Sequence, residues 1–362
     1  MACSQLADYR RDRSSQRSIY SKERLRRDRC NRVGMPDGWY TLMVALAYKA
    51  VHLPGGNFFD DVRLDLPASY AAQDAWLRTL PKVSARTSRV RTAVRRAAHW
   101  KEPYRLREAL VNAGIARSWF EEFRDYWEHV IDGRPLTVMD FHSLRFNYRQ
   151  RAQSFATLTW PDRDSHLAHW QAAPNLFQTF DSAYRMGLHP MWGGEVLFDL
   201  LGRDFRVLEY GCGIAPVYRT WRTFRSTTPS QWVLADIPGF SFHFTRHALS
   251  RDAEAELPVI EDFDNPLAAV EGEFDLIIVQ TVFEHLDSPR MIAEYLLDRL
   301  KPGGLFWFDY IRSAGTGLDT PAGLSERRTT LEYLAKQLDV VHGELRIDDD
   351  SLGACVGRKH VD

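Results

Sequence analysis

The chain has 362 residues, 47 Lys and Arg against 48 Asp and Glu, a net charge of -1 and 44% apolar residues. That length accommodates one large or two ordinary domains, and the even charge balance argues against a dedicated nucleic-acid partner. No apolar run approaches the roughly 18 residues of a membrane span, so no membrane partner is expected. Four cysteines (Cys3, Cys30, Cys212, Cys355) are too few and too widely spaced for a disulfide framework or a zinc site.

Residues 1–33 hold ten basic side chains against four acidic ones and little apolar content. A basic arm for nucleic acid or acidic partners is one reading. A disordered tail, or a coding start placed too far upstream with Met35 as the true beginning, is the preferred one, because globular character starts abruptly at Gly38-Trp39-Tyr40. No signal-peptide core is present, and a reducing cytoplasm is the expected compartment. The segments 39–53, 70–80, 89–100, 104–113, 118–131 and 141–155 read as helices. Phe120, Phe123, Trp127 and Ile131 fall on one amphipathic face. Eight of the eleven tryptophans precede residue 200, so this region needs a large core or pocket of its own. The stretch 156–173, with Pro161 inside it, reads as irregular. Lys82, Arg86, Arg89, Arg91, Arg95, Arg96 and Lys101 form a basic stripe. At helical spacing they point several ways, which suits a solvated face better than a phosphate site.

The most informative stretch is Val207-Leu208-Glu209-Tyr210-Gly211-Cys212-Gly213. Residues 205–210 read as a buried parallel strand, the glycines as a tight turn, and 217–224 as a helix. Strand, glycine-rich turn and helix form the nucleotide-cradling unit of doubly wound folds. A second strand at 231–235 closes on Asp236. A third is expected at 257–260, before Glu261 and Asp262, and a fourth at 274–279, closed by Gln280. Leu300-Lys301-Pro302-Gly303-Gly304 predicts a sharp turn before a strand at 305–309. The segments 339–345 and 351–358 supply two final strands.

These motifs, in this order, resemble the class I S-adenosylmethionine-dependent methyltransferases over residues 175–358. A dinucleotide oxidoreductase would more often have a third glycine where this chain has Pro216. The resemblance implies an α/β fold: a Rossmann-like, seven-stranded, mostly parallel sheet with helices on both faces and an antiparallel last strand. It implies three parts: the basic arm (1–34), a helical lid and substrate domain (35–174), and the cofactor-binding domain (175–362).

It also implies roles. Glu209 would hold the turn and reach the methionine amine directly or through water. Gly211, Cys212 and Gly213 would present backbone to the methionine half. Asp236 would bind the ribose hydroxyls, with Ile237 against adenine. Asp262 would accept from the adenine amine and Phe263 would cover the ring. Gln280 would sit beside the methionine moiety. The alternative for Glu209 and Asp236 is that they only cap neighbouring helices.

The acceptor side is less defined. Tyr184, His189 and Trp192 lie in a polar and aromatic cluster before the first strand. Asn147 and Tyr148 form a second cluster. All five are candidate substrate contacts, with a core role the competing reading. His285, in Phe283-Glu284-His285-Leu286, and Tyr310 are candidate bases. No Asn-Pro-Pro-Tyr follows the fourth strand, and no carboxylate–histidine cluster suggests a catalytic magnesium. The expectation is a small-molecule methyltransferase of specialised metabolism. Two alternatives remain: a same-fold enzyme that cyclises S-adenosylmethionine itself and releases 5'-methylthioadenosine, as azetidine-2-carboxylate synthases do, and a non-catalytic binding protein. The oligomeric state is left open.

Overall fold

The computed structural model describes residues 62, 64–83, 119–132, 162–188, 201, 204–224, 230–312, 318–349 and 351–361. All of them belong to one unit, Val62–Pro135 with Arg149–Asp362. A second unit, Met1–Asp61 with Leu136–Tyr148, lies outside the described residues, as do the expected arm and the helices expected at 39–53, 89–100, 104–113 and 141–155.

Seven strands make one sheet: β1 (Phe205–Tyr210), β2 (Ser230–Ala235), β3 (Ala255–Glu256), β4 (Phe274–Val279), β5 (Leu300–Tyr310), β6 (Leu338–His342) and β7 (Leu352–Lys359). Their order is β3-β2-β1-β4-β5-β7-β6. The first five run parallel, and β7 is antiparallel to both β5 and β6. Strands β1 and β4 lie at the centre and are covered on both faces, which is why they read as continuous apolar runs. Asp275 ties three strand starts together. One oxygen accepts from the Arg206 amide and the other from Lys301 Nζ, both at 2.8 Å.

Two strand expectations shift. The third strand lies at 255–256 instead of 257–260, with only a single bridge, Asp236 to Val259, continuing it. Pro258 has no N–H to give a ladder, so pairing breaks there. The expected turn at 300–304 is part of β5. Phe274 pairs with Leu300, the register slips across Pro302–Gly304, and Leu276 pairs with Leu305.

The helices among the described residues are α1 (Leu66–Thr79), α2 (Trp119–Tyr126), α3 (Arg163–Gln171), α4 (Leu176–Leu188), α5 (Pro216–Phe224), α6 (Phe240–Ala248), α7 (Pro289–Asp298), α8 (Pro321–Ser325) and α9 (Arg327–Gln337). None is long and apolar enough to cross a membrane. Helix α1 starts earlier than its apolar period suggests, because Asp65 caps it and Pro67 occupies its first turn. Helix α2 runs on as a single π-helical turn, Trp127–Ile131, and stops at Asp132 in the left-handed region. Helix α3 falls inside the stretch expected to be irregular. Asp162 caps it, accepting from Ser165 N at 2.7 Å.

Helices α1 and α2 are fastened to α6 through one buried imidazole. His243 Nδ1 meets Tyr126 Oη at 2.9 Å and its Nε2 meets Ser69 Oγ at 3.0 Å. Tyr70 Oη donates to Gly239 O at 2.7 Å, and Gln73 Nε2 to His243 O at 2.9 Å. Phe123, on the predicted amphipathic face, packs edge-on against Phe180 of α4. Burial pushes the His243 imidazole down from 6.5 to about 4, with the charges of Arg246 and His247 adding to the effect. The folded state therefore keeps it neutral, while the unfolded chain protonates it below pH 6.5. The stability it contributes is present above pH 6.5 and is lost as pH falls towards 4. Between pH 7 and pH 5 the wild-type protein is expected to lose about 2 kcal/mol more than His243→Gln in urea melts. Equal losses would show that His243 titrates alike in both states.

Candidate functional site

The strand order reverses between β1 and β4, which opens a crevice at their carboxyl ends. The turn 211–215 lines it. Gly211, Gly213 and Ala215 have φ of 64°, 52° and 53°. A Cβ on Gly211 would lie 2.5 Å from Val282 Cγ2, so only glycine fits there. A Cβ on Gly213 would meet nothing within 4 Å, so that position faces open space.

This turn lacks long side chains, and its polar backbone is served by other elements. Gly211 N and Cys212 N donate to Ala235 O at 2.8 and 3.2 Å. Gly213 N donates to Asp236 Oδ2 at 2.5 Å, and its carbonyl accepts from Thr245 Oγ1 at 2.8 Å. Ile214 O accepts from Arg219 Nε at 2.7 Å. Arg219 is buried, pairs with Glu122 of α2 and lies 5.3 Å over the Phe244 ring. Arg219, Glu122 and Thr245 went unnoticed in the sequence. The available signal was an arginine amid the buried run Val217 to Trp221.

The carboxylates occupy defined places. Glu209 is buried and accepts from Val217 N at 3.1 Å and Tyr218 N at 2.9 Å. It therefore caps the start of α5 from the end of β1, which is the capping alternative. Burial pushes its carboxyl up to about 7 despite the two amides and Arg219. Asp236 joins β2 to the turn, since its other oxygen accepts from Ile237 N at 2.7 Å. Burial pushes it up to about 6. Each of its oxygens keeps a second lone pair for ribose hydroxyls. Ile237 and Phe263 are half-buried against the core. Asp262 is exposed, and one oxygen caps Asp264 N and Asn265 N, leaving the other for an amine. Phe263 has one face covered by the Arg163 guanidinium, 4.9 Å from the ring centre. Cys212 is buried and burial raises its thiol, so its backbone is what serves the site.

Across the crevice lies the segment after β4. Gln280 Oε1 is buried and has no hydrogen-bond partner among the described residues. Thr281 is left-handed, with φ of 56°. His285 Nδ1 lies 2.9 Å from Leu318 O. A carbonyl can only accept, so Nδ1 carries the hydrogen and Nε2 presents its lone pair. Burial lowers the His285 imidazole below its ordinary value, partly offset by the Leu318 bond and Asp319. Tyr310 does not join it. Its ring stacks on Phe283 in the core, its hydroxyl donates to Gly323 O at 2.6 Å, and burial raises its pKa, which removes it as a base.

Helix α3 reaches both rims. Its Arg163 Nε approaches Asp287 Oδ2 at 3.4 Å, and Gln171 Nε2 donates to Pro238 O at 3.2 Å. Its Trp170 ring lies edge-on to His285, 6.2 Å between centroids, and donates to His166 Nε2 at 2.9 Å. Of the expected substrate contacts, Tyr184 lies in α4, its side chain outside the description. His189, Trp192, Asn147 and Tyr148 lie outside the described residues.

A family model described as a methyltransferase domain matches residues 158–343, just over half of the chain. The chain belongs to this family, within the class I S-adenosylmethionine-dependent methyltransferase superfamily. No curated protein matches it. Among solved structures it is similar to the N-methyltransferase NodS from Bradyrhizobium japonicum WM9, at 20% identity over 44% of this chain and 88% of that one, TM-score 0.31. It is also similar to the SAH-bound methyltransferase PaMTH1 of Podospora anserina, at 18% identity over 58% and 94%, TM-score 0.38. A third is the [4+2]-cyclase SpnF, at 14% identity over 46% and 80%, TM-score 0.35.

The cofactor is S-adenosylmethionine. The residues present fit it: the open space over Gly213, the lone pairs of Asp236, and an orphaned amide oxygen on Gln280 that suits an ammonium donor. Asp236→Ala is expected to weaken S-adenosylmethionine binding by about 1–3 kcal/mol in calorimetry, since a charged acceptor is lost and Gly213 N is untied. Unchanged affinity would remove Asp236 from the site. Gly211→Val should abolish measurable binding through its collision with Val282. A normal dissociation constant there would place the cofactor elsewhere.

Proposed function

We propose that the protein transfers the methyl group of S-adenosylmethionine to a small-molecule acceptor of specialised metabolism, with His285 as general base. The observation that carries this reading is the fixed tautomer of His285. Its Nδ1–H is spent on Leu318 O, which leaves Nε2 as the accepting nitrogen, 4.0 Å from Glu284 Oε1. Two roles are then divided between two loops. The turn 211–215 and Asp236 hold the cofactor, which supplies an electrophilic methyl on a positively charged sulfur. His285 Nε2 takes the proton from the acceptor's O–H or N–H as its lone pair becomes the attacking one.

Helix α3 acts as the lid. Anchored at Asp287 on one rim and at Pro238 on the other, it sets the Trp170 indole beside His285, where it keeps water from the reacting atoms. The five candidate substrate contacts would complete the acceptor pocket. A reducing cytoplasm suits Cys212 and Cys355, both buried and unpaired.

Mass spectrometry of the nucleoside products tests the reading. With S-adenosylmethionine alone, turnover should stay at the uncatalysed background. With an accepted substrate, S-adenosylhomocysteine should accumulate. Methylthioadenosine above background would overturn methyl transfer in favour of cyclisation of the cofactor. In His285→Gln, acceptor-dependent S-adenosylhomocysteine formation should fall about 10²- to 10⁴-fold with cofactor affinity nearly unchanged. The active base is the neutral form, so the acid limb of the wild-type pH–rate profile should lie below pH 6.5, the ordinary value from which burial lowers His285. A limb above it would assign the base to another group.

A further inference from the structure

The turn after β4 contains a strained residue, and one buried carboxylate holds it. Thr281 has φ of 56°, a region that β-branched residues rarely enter. Such a conformation persists where the surroundings over-determine it. The restraint here is Asp309, near the end of β5. Its Oδ1 accepts from Thr281 N at 2.5 Å, and the residue is only 5% exposed.

The residues on either side of Thr281 both serve the crevice. Gln280 precedes it, with its buried Oε1 lacking a hydrogen-bond partner among the described residues. Val282 follows it and closes onto Gly211, at the spot where a Cβ on that glycine would collide. The left-handed residue is the hinge between them. A change in its conformation would move Gln280 away from the crevice edge or Val282 off the glycine turn. Next in the chain, His285 N donates to Val282 O at 2.8 Å, so the base is built on the same turn.

We propose that Asp309 is a positioning residue for the cofactor: by fixing Thr281 in the left-handed region it aims the Gln280 amide oxygen at the α-ammonium of the methionine moiety and seats Val282 against Gly211. Asp309 does this without touching the cofactor. The proposal rests on the crevice holding S-adenosylmethionine and is independent of which group is transferred, so it stands or falls apart from the methyl-transfer reading.

The test is a double-mutant cycle read by calorimetric affinity for S-adenosylmethionine and S-adenosylhomocysteine, on the full chain without any acceptor. Asp309→Ala is expected to weaken both ligands about 10- to 100-fold, because the hydrogen bond that offsets the strain is gone. Thr281→Gly should bind within about threefold of wild type, since glycine enters the left-handed region unaided. In the Thr281→Gly background, Asp309→Ala should cost less than about threefold. Asp309→Asn, which retains an accepting oxygen, should restore most of the affinity lost in the alanine variant. Equal losses from Asp309→Ala in both backgrounds would overturn the proposal, as would undiminished affinity in Asp309→Ala alone. Circular dichroism and thermal melting establish that each variant is folded. Should the alanine variant not fold, Asp309→Ser, whose hydroxyl is too short to reach Thr281 N, takes its place in the cycle with the same expectations.

Discussion

A glycine turn without long side chains satisfies little of its own backbone beyond the Ala215 N–H donated to Cys212 O at 2.7 Å, and it depends on other elements for the rest. This constraint organises the described part of the molecule. The turn 211–215 has no long side chain, and three of its residues are left-handed. Its other amides and carbonyls are met by four residues on three elements: Ala235 and Asp236 of the β2 end, Thr245 of α6, and Arg219 of α5. A buried polar backbone group without a partner costs about 1–3 kcal/mol, so each of these bonds is needed. Two of the groups involved are carboxyls in a poor environment for charge. Burial raises Glu209 to about 7 and Asp236 to about 6. Asp236 is retained for the amides of Gly213 and Ile237, and Glu209 for those of Val217 and Tyr218 at the start of α5.

The same constraint explains why helices far apart in sequence share one unit with the sheet. Arg219 reaches the turn with its Nε and Glu122 of α2 with its Nη1. A buried arginine needs such a partner, since desolvating an unpaired charge costs several kcal/mol, on the order of the whole stability of a domain. Helix α2 thus supplies the counter-charge that lets Arg219 serve the cofactor turn. His243 repeats the arrangement with neutral groups, fastening Tyr126 and Ser69 to α6.

What could be read from the sequence follows from burial. The strands 205–210 and 274–279 were legible to the residue, because a central parallel strand has to be apolar on both faces. Strand β3 was displaced because Leu257 to Ile260 is apolar enough for a strand, while Pro258 cannot join a ladder. Helix α3 was invisible to periodicity. Its sequence, Arg163 to Gln171, has no apolar stripe, and only the Asp162 cap marked it. The glycine turn was legible because a strand, two glycines and a helix start are local in sequence. Tyr310 misled because burial is not: a tyrosine after a strand can equally be core, and here its hydroxyl is spent on Gly323. The roles of Arg219 and Asp309 depend on partners 97 and 28 residues away, Glu122 and Thr281, and no window of sequence contains them.

Three neighbouring imidazoles, His166, His169 and His285, bear on the proposed chemistry. His166 is pushed down to about 4, chiefly by burial and then by the proximity of His285 and His169. His169 and His285 are also lowered by burial. Imidazoles held neutral in one neighbourhood resist the addition of any proton, so His285 is a weak base in the resting site. Methyl transfer suits a weak base. The acceptor's O–H or N–H becomes strongly acidic only as its lone pair is committed to the new bond, so proton removal is needed late and against little resistance. A weak, neutral base also does not hold its own proton at pH 7, and its lone pair stays available between turnovers. On the proposed reading the burial that weakens His285 is what keeps it ready, and the Trp170 ring, 6.2 Å from it, contributes to that burial.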